Sequence, residues 1–382
     1  MKTLYFVPEI VIGKNSLERL SVYRQKKILI ITDAFIQSTE IFKAIHSSLN
    51  QENDITIFSD VVPDPPIENI IEGIKIFNSS DPNVVIAIGG GSAIDAAKGI
   101  LYFAIESRAD KQRNDYQFIV IPTTSGTGSE VTNFAVITDL EKGSKYPLVE
   151  KELLPDISIL SIDFLENLPK NIIADTGIDA LTHAIEAYVS TQATTFSDAL
   201  AEKAIKLILD NILKSMQTDK VDFTAREKMH EASTIAGLAF NMASLGINHS
   251  LAHALGGEFH KVHGRLNGTL LKNVILYNSG LLINNSEETL AATKEKYREL
   301  ARIFGVKLQN SDLAINQLVQ RITKLLRELD MPLSLKEHQI DRQELDNLAD
   351  KLASTALSDR CTPTNPRVPS KDDLLKILKE SY

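Results

Sequence analysis

A single cysteine, Cys361, in 382 residues rules out an intrachain disulfide. Such a chain suits a reducing compartment, and a cytoplasmic location is expected. No lysine and arginine block stands out against a net charge of −9. That argues against nucleic acid or an anionic membrane surface as the main partner. No apolar run approaches the roughly 20 residues of a membrane span. The opening Met1-Lys-Thr-Leu-Tyr-Phe-Val-Pro-Glu9 is too short and interrupted to read as a signal peptide. There is no internal repeat and no low-complexity segment. What remains is an ordinary globular composition, 43% hydrophobic and 24% charged, long enough for two domains with real cores.

The first part of the chain alternates strand-like and helix-like stretches. Lys27-Ile-Leu-Ile-Ile-Thr-Asp33 is an unbroken apolar run ending in an acid, which reads as a buried parallel strand. A helix is expected over 39–49, a strand over 55–58, a Pro-interrupted loop over 61–66 and a helix over 67–77. Val84-Val-Ile-Ala-Ile88 is a second buried strand, and it runs straight into Gly89-Gly-Gly-Ser92 and a helix over 93–105. Strands are expected again at 118–121 and 158–161, with a hairpin from Phe134–Asp139 and Lys145–Val149 between them. The alternation predicts an open α/β sheet with crossovers.

Strand, glycine turn, helix is a layout for phosphate. Glycine lets the backbone approach the ligand, and free N–H groups at the helix start face the anion. The GxGxxG fingerprint is absent, and an acid stands before this turn, at Asp33, rather than about twenty residues after it. A carboxylate there could accept both ribose hydroxyls and would repel a 2′-phosphate, which favours NAD over NADP. It could equally be a helix N-cap. Pro122-Thr-Thr-Ser-Gly-Thr-Gly-Ser-Glu130 concentrates hydroxyls and glycines beside two apolar strands, a composition suited to a second wall of a nucleotide site.

After Pro169 strand-like runs stop. Helical patterns follow at 198–213, 225–240, 287–303, 313–329, 342–355 and 372–379. The fold expected is an α/β N-terminal nucleotide-binding domain over 1–168 and an all-α C-terminal metal-binding domain over 169–382, meeting across a cleft. Within the second part, Asp179 and His183 are four apart, and so are His249 and His253, so each pair shares a helix face. His263 lies beyond an expected break at Gly256-Gly257. Imidazoles and a carboxylate at such spacing suit iron, zinc or nickel. Spacing alone leaves open which of His249, His253, His260 and His263 are ligands.

Several longer motifs resemble one family. They are Gly89-Gly-Gly-Ser-x-x-Asp95-x-x-Lys98, Pro122-Thr-Thr-Ser-Gly-Thr-Gly-Ser-Glu130, Gly177-x-Asp179-Ala-Leu-Thr-His183-Ala-x-Glu186, His249-x3-His253-x9-His263-Gly264 and Cys361-x-x-x-Asn365-Pro366-Arg367. In this order, over nearly the whole chain, they resemble the iron-dependent (group III) alcohol dehydrogenases. Lys142-Gly-Ser-Lys-Tyr-Pro-Leu148, Asp198-Ala-Leu-Ala-Glu-Lys203 and the stretch 245–260 are most similar to the 1-propanol dehydrogenases of propanediol-utilising bacteria.

The resemblance implies a metal held by Asp179, His183, His249 and His263. Keeping all four positions favours Fe2+, with Zn2+ the alternative because the related glycerol dehydrogenases are zinc enzymes. His253 matches a histidine near the nicotinamide and is the expected proton-relay residue; His260 matches no ligand. For NAD(H), the resemblance implies pyrophosphate contacts from Gly90, Gly91 and Ser92 in the turn that Gly89 opens. Thr123 and Thr124 contact the cofactor, Asp33 the adenosine ribose, and Lys145 lines the cofactor site. Asp95 is expected to support the glycine turn. Phe134, Phe240, Leu245 and Cys361 are implied near the substrate.

The activity so implied is NAD(H)-dependent, Fe2+-assisted interconversion of a short-chain primary alcohol and its aldehyde, with propanal and 1-propanol the first choice. An apolar residue at Phe134, where the similar lactaldehyde reductase has Asn, favours an unsubstituted aldehyde, because a buried hydroxyl without a partner is costly. Lactaldehyde reductase, butanol dehydrogenase and 4-hydroxybutyrate dehydrogenase are the alternatives within the family. A dehydroquinate-synthase-like lyase would call for extra basic residues, which these motifs lack, and a non-catalytic binding module would waste two kinds of site. Family members are commonly dimers or larger, so a homo-oligomer is expected, in the cytoplasm or associated with a bacterial microcompartment.

Overall fold

The computed structural model describes residues 8–141, 144–283 and 287–382. The residues 1–7 of the opening segment, and Lys142 and Gly143 of the motif and hairpin turn, lie outside the described residues. The chain divides into two compact units, Met1–Pro169 and Lys170–Tyr382.

The first unit is built on eight strands and four helices among the described residues. In chain order they are β1 (Glu9–Ile12), β2 (Lys27–Ile31), α1 (Ala34–Ser38), α2 (Glu40–Asn50), β3 (Asp54–Phe58), α3 (Ile67–Ser80), β4 (Val84–Gly89), α4 (Gly91–Glu106), β5 (Gln117–Pro122), β6 (Phe134–Asp139), β7 (Ser144–Val149) and β8 (Ile157–Leu160). Six strands form one parallel sheet in the order β1-β8-β5-β4-β2-β3. β6 and β7 pair antiparallel, with Phe134 opposite Val149 and Asp139 opposite Ser144.

The apolar runs explain the sheet. Leu29, Ile31, Val85, Ala87, Phe118 and Val120 pack with α3 and α4 on one face. Their neighbours Ile28, Ile30, Val84, Ile86, Ile88, Ile119 and Ile121 pack with Phe42, Ile45 and Leu49 of α2 on the other. Both faces are covered, so every position is apolar rather than every second one. β1 escapes a reading by pattern: it is a four-residue edge strand with three of its four residues exposed. The helix expected over 39–49 is preceded by a short separate one. Asp33 caps α1 through the N–H of Ile36, and Thr39 caps α2 through that of Phe42.

Strand order also locates a site. From β2 the chain goes outward to β3, then returns past β2 to β4 and continues to β5 and β8. The reversal falls between β2 and β4, and open α/β sheets bind ligands beyond the carboxyl ends of strands at such a point. Asp33 follows β2 and the glycine turn follows β4.

Among its described residues the second unit has helices and no strand: α5 (Lys170–Val189), α6 (Thr195–Ser215), α7 (Phe223–Ala243), α8 (Ile247–Phe259), α9 (His263–Asn278), α10 (Glu287–Ile303), α11 (Ser311–Glu328), α12 (Arg342–Ser358) and α13 (Lys371–Glu380). α5 packs against α6, α7 and α9, and α8 against α9 and α12. The expected break at Gly256-Gly257 is not there. α8 runs through both glycines and ends at His260, whose φ of 51° is left-handed. Packing overrides the weak helix propensity of glycine, since Leu251, Ala252 and Leu255 of this helix are buried in the core around α8, α9, α12 and α13.

Candidate functional site

In the second unit, α5 presents Asp179 and His183, α8 presents His249 and His253, and His263 begins α9. Asp179 Oδ1 lies 3.8 Å from His249 Nε2 and 3.6 Å from His263 Nε2. Donor atoms of Asp179, His249 and His263 all fall within 4.8 Å of one another. Ligands at about 2.1 Å from an ion stand roughly 3–3.5 Å apart, so a small contraction would seat one. One carboxylate and neutral imidazoles in a buried position suit Fe2+ or Zn2+, and the residues present therefore fit the metal that the resemblance implies. His183 is outside that trio of donors but beside it. Its ring stacks on that of His249, centroids 4.5 Å apart and planes at 18°.

Glu186 organises the cluster from behind. It lies seven residues after Asp179 on the same helix face. Its Oε2 makes a very short contact with His249 Nδ1, and its Oε1 accepts from the N–H of Asn248 at 2.8 Å. With Nδ1 so engaged, Nε2 is the nitrogen turned to Asp179, the arrangement of a carboxylate–histidine–metal triad. Burial pushes the Glu186 carboxyl up to about 8, against the opposing pull of the backbone donors of Asn248, Gly246 and His249. Burial, followed by the nearby His183, His263 and His253, drives His249 well below the usual histidine range. A neutral imidazole is the form a metal takes. Gly246 is required here, because a Cβ would stand 2.7 Å from Asn365 Oδ1 and 2.8 Å from Glu186 Oε1.

Asn267 went unnoticed in the sequence. Its Nδ2 donates to Asp179 Oδ1 at 2.7 Å and lies 3.2 and 3.1 Å from Nε2 of His249 and His263. Its Oδ1 accepts from Asn248 Nδ2 at 2.9 Å. The available signals were helical spacings: Glu186 stands at Asp179 plus seven and Asn267 at His263 plus four.

His253 sits one turn beyond His249. Its ring stacks on that of His263, centroids 5.1 Å apart and planes at 10°. Its Nδ1 lies 2.9 Å from Oδ2 of Asp359, a residue the sequence reading did not single out. Cys361 is buried beside Asp359, and burial, then the Asp359 and Glu186 charges, push its thiol well up. Phe240 on α7 stacks on His183 at 4.6 Å. Leu245 is buried, its carbonyl accepting from Thr364 Oγ1 at 2.6 Å. Thus Phe240 and Cys361 flank the histidines, whereas Phe134 belongs to the first unit, where its carbonyl accepts from Lys98 Nζ. His260 is exposed at the end of α8 and is not among the converging donors.

In the first unit the glycine turn is closely walled. A Cβ on Gly89 would stand 2.5 Å from Ala93 Cβ and 3.6 Å from Asp33 Oδ2, which places the acid against the turn. Asp33 Oδ1 accepts from Ile36 N, so the helix cap and the acid at the strand end are one residue. The N–H of Thr123 donates to Gly89 O at 3.0 Å, and a Cβ on Gly90 would stand 3.4 Å from Thr124 Oγ1. Ser92 Oγ accepts from the N–H of Asp64, and Asp64 pairs with Lys145 at 2.6 Å. Asp64 thereby links Lys145 to the turn.

Asp95 does not support the turn as expected. It accepts from Ser129 Oγ at 2.7 Å and Val136 N at 3.0 Å. The reason is Lys98, one helical turn on and fully buried, whose ammonium donates to the carbonyls of Ser129, Thr132 and Phe134 at 2.7–2.8 Å. Burial lowers Lys98 to about 8, against the opposing charges of Asp95 and Glu130. Together the pair fastens the hydroxyl-rich segment to α4.

Comparisons with known proteins identify the family of the chain. Residues 8–162 match the family model described as iron-containing alcohol dehydrogenase, and residues 173–382 match the C-terminal model of the Fe-containing alcohol dehydrogenase family. The 1-propanol dehydrogenase PduQ of Salmonella typhimurium is 39% identical over 386 residues, covering all of both chains. Aldehyde-alcohol dehydrogenase 2 of Entamoeba histolytica is also 39% identical; there the match takes in 98% of this chain but only 46% of that protein. This chain therefore spans about half the length of that relative. The solved structure of an alcohol dehydrogenase from Oenococcus oeni superposes with a TM-score of 0.89 at 30% identity, over all of both chains.

Proposed function

Because the chain belongs to the iron-containing alcohol dehydrogenase family, we propose that it interconverts a short-chain primary alcohol and its aldehyde with NAD(H) and Fe2+, propanal and 1-propanol being the pair. The observation that carries this reading is the convergence of Asp179, His249 and His263 donors in a chain similar over its whole length to a 1-propanol dehydrogenase. In this reading Asp179, His183, His249 and His263 hold the metal. Gly89, Gly90, Gly91, Ser92, Thr123, Thr124 and Lys145 hold the cofactor in the α/β domain, 1–168, and the helical domain, 169–382, carries the chemistry.

When bound, Fe2+ supplies a Lewis acid for the substrate oxygen, and the nicotinamide supplies or accepts the hydride. The protein does the rest. Glu186 keeps His249 in the tautomer that offers Nε2. His253 moves a proton to or from the substrate oxygen. Asp33, against the glycine turn, accepts from ribose hydroxyls and repels a 2′-phosphate, which selects NAD. Phe134, Phe240, Leu245 and Cys361 are the apolar residues proposed for the substrate, favouring an aldehyde that brings no hydroxyl needing a partner. One methylene shifts binding only modestly, so C2 to C4 aldehydes all react to some degree. A cytoplasmic homodimer or larger assembly, serving propanediol utilisation and associated with a microcompartment, belongs to the same reading. Light scattering of the purified chain tests the assembly.

The deciding experiment is anaerobic NADH oxidation with ethanal, propanal, butanal and lactaldehyde, after chelation and with or without Fe2+. Iron-dependent turnover that prefers propanal supports the proposal. Preference for lactaldehyde overturns the role given to Phe134 but keeps the reaction class. No turnover with any aldehyde overturns the reaction itself.

A further inference from the structure

We infer that Asp359 is the positioning residue for His253: its carboxylate holds the Nδ1–H of the imidazole and leaves Nε2 as the nitrogen that exchanges a proton with the substrate oxygen. The inference rests on the proton-relay role proposed for His253.

The geometry is that of a fixed carboxylate. Asp359 is the residue that closes α12, with extended backbone at φ −67° and ψ 143°. Its Oδ2 lies 2.9 Å from His253 Nδ1. Its Oδ1 accepts from the backbone N–H of Cys361 at 2.8 Å and from Ser250 Oγ at 3.3 Å. Ser250 precedes His253 by three residues on α8, so both side chains leave the same helix face toward the carboxylate. Thr362 Oγ1, 2.8 Å from Ser250 Oγ, backs that hydroxyl. Both oxygens of Asp359 are thus occupied, and its side chain is only 7% exposed against 10% for His253. A carboxylate clamped by a backbone donor and a hydroxyl cannot swing, so the ring it holds cannot swing either.

The chemistry requires such a clamp. A relay imidazole offers only one nitrogen to the substrate, and the tautomer is set by what the other nitrogen contacts. In aldehyde reduction the N–H bond at Nε2 breaks as the O–H bond of the alcohol forms; a bound NADH would supply the hydride for the new C–H bond and leave as NAD+. The ring is left neutral with its proton on Nδ1, where Asp359 holds it. In alcohol oxidation the same proton returns to Nε2, and the carboxylate stabilises the cation. Burial raises the Asp359 carboxyl, but the charge of protonated His253 and the hydrogen bonds from His253 and Cys361 outweigh it and hold the acid at about 2. It is therefore an anion at every working pH.

The test compares the metal-loaded wild type with Asp359→Asn, His253→Ala and the double variant, reading kcat, KM for NADH and metal content. Asparagine keeps an acceptor for the Cys361 N–H but offers the ring no fixed charge. Expected are a fall in kcat of about 10- to 100-fold for Asp359→Asn, with metal content and KM for NADH unchanged. In the His253→Ala background the same substitution should change kcat by less than about twofold, because residues acting as a unit are not additive. Independent, multiplying losses overturn the inference, as does an Asp359→Asn enzyme with wild-type kcat beside an impaired His253→Ala. If His253→Ala itself is unimpaired, the relay reading fails, and Asp359 has nothing to position. Should Asp359→Asn not fold, nitrogen NMR of the His253 ring in zinc-loaded wild type decides. A proton on Nδ1 supports the assignment, and a ring protonated on Nε2 alone overturns it.

Discussion

His263 brings α9 into the cluster of donors proposed for the metal, whose other members Asp179 and His249 come from α5 and α8. With His263→Ala, two converging donors remain of three. Metal content by mass spectrometry and turnover should be lost together; full activity in that variant would remove the cluster from the mechanism. Asp359 makes a different prediction, on stability. Its folded-state value of about 2 lies below the ordinary 3.8. The unfolded chain therefore takes up the proton first as pH falls. The contribution, about 2 kcal/mol, is complete above pH 4 and disappears as pH falls through 2. Urea unfolding from pH 5 to 2.5 should show wild type losing stability faster than Asp359→Asn. Parallel curves would mean that His253 and the Cys361 amide do not hold the carboxylate.

Between elements, the decisive contact is where α9 begins. A Cβ on Gly264 would stand 2.0 Å from the carbonyl oxygen of Asp175, in the backbone of α5. A backbone atom cannot step aside, so Gly264→Ala must push the start of α9, and His263 with it, away from Asp179. The expected loss is about 1–3 kcal/mol of stability together with weakened metal retention. Thermal unfolding and metal content, measured on one preparation, check both. A normal melting temperature with normal metal content would show that the helices have slack at this point. The motif His263-Gly264 thus joins a proposed ligand to the residue that lets it approach Asp179. Sequence patterning reached most elements for a related reason. A helix or strand buries its own apolar face, and that periodicity is written locally, as in α10, expected and found over 287–303. It missed β1, which buries almost nothing, and it placed a break at Gly256-Gly257, where packing keeps α8 intact.

At the scale of the whole molecule, metal binding and folding share the same free energy. A cluster drawn from α5, α8 and α9 ties α5 to a consecutive helix pair much later in the chain, so an ion bound there stabilises the helical unit by mass action, about 4 kcal/mol at a thousandfold excess over Kd. Chelation should therefore lower the melting temperature, and Fe2+ or Zn2+ should restore it in the wild type but not in His263→Ala. Equal melting temperatures with and without chelator would place the ion elsewhere. Among the described residues no helix is long and apolar enough to cross a membrane, in keeping with a sequence that offers no such run.

The sequence by itself determined the alternation of strand and helix, the change to helices after Pro169, the glycine turn and the motifs that reveal the family. All of these are local, set by periodicity and by residues a few positions apart. Only the tertiary structure decided which side chains serve the histidines. Glu186 and His249 are 63 residues apart, Asp359 and His253 106, and Asn267 and Asp179 88. No pattern along the chain links such pairs. They meet because buried helices must pack, and a buried imidazole then needs a partner for each nitrogen.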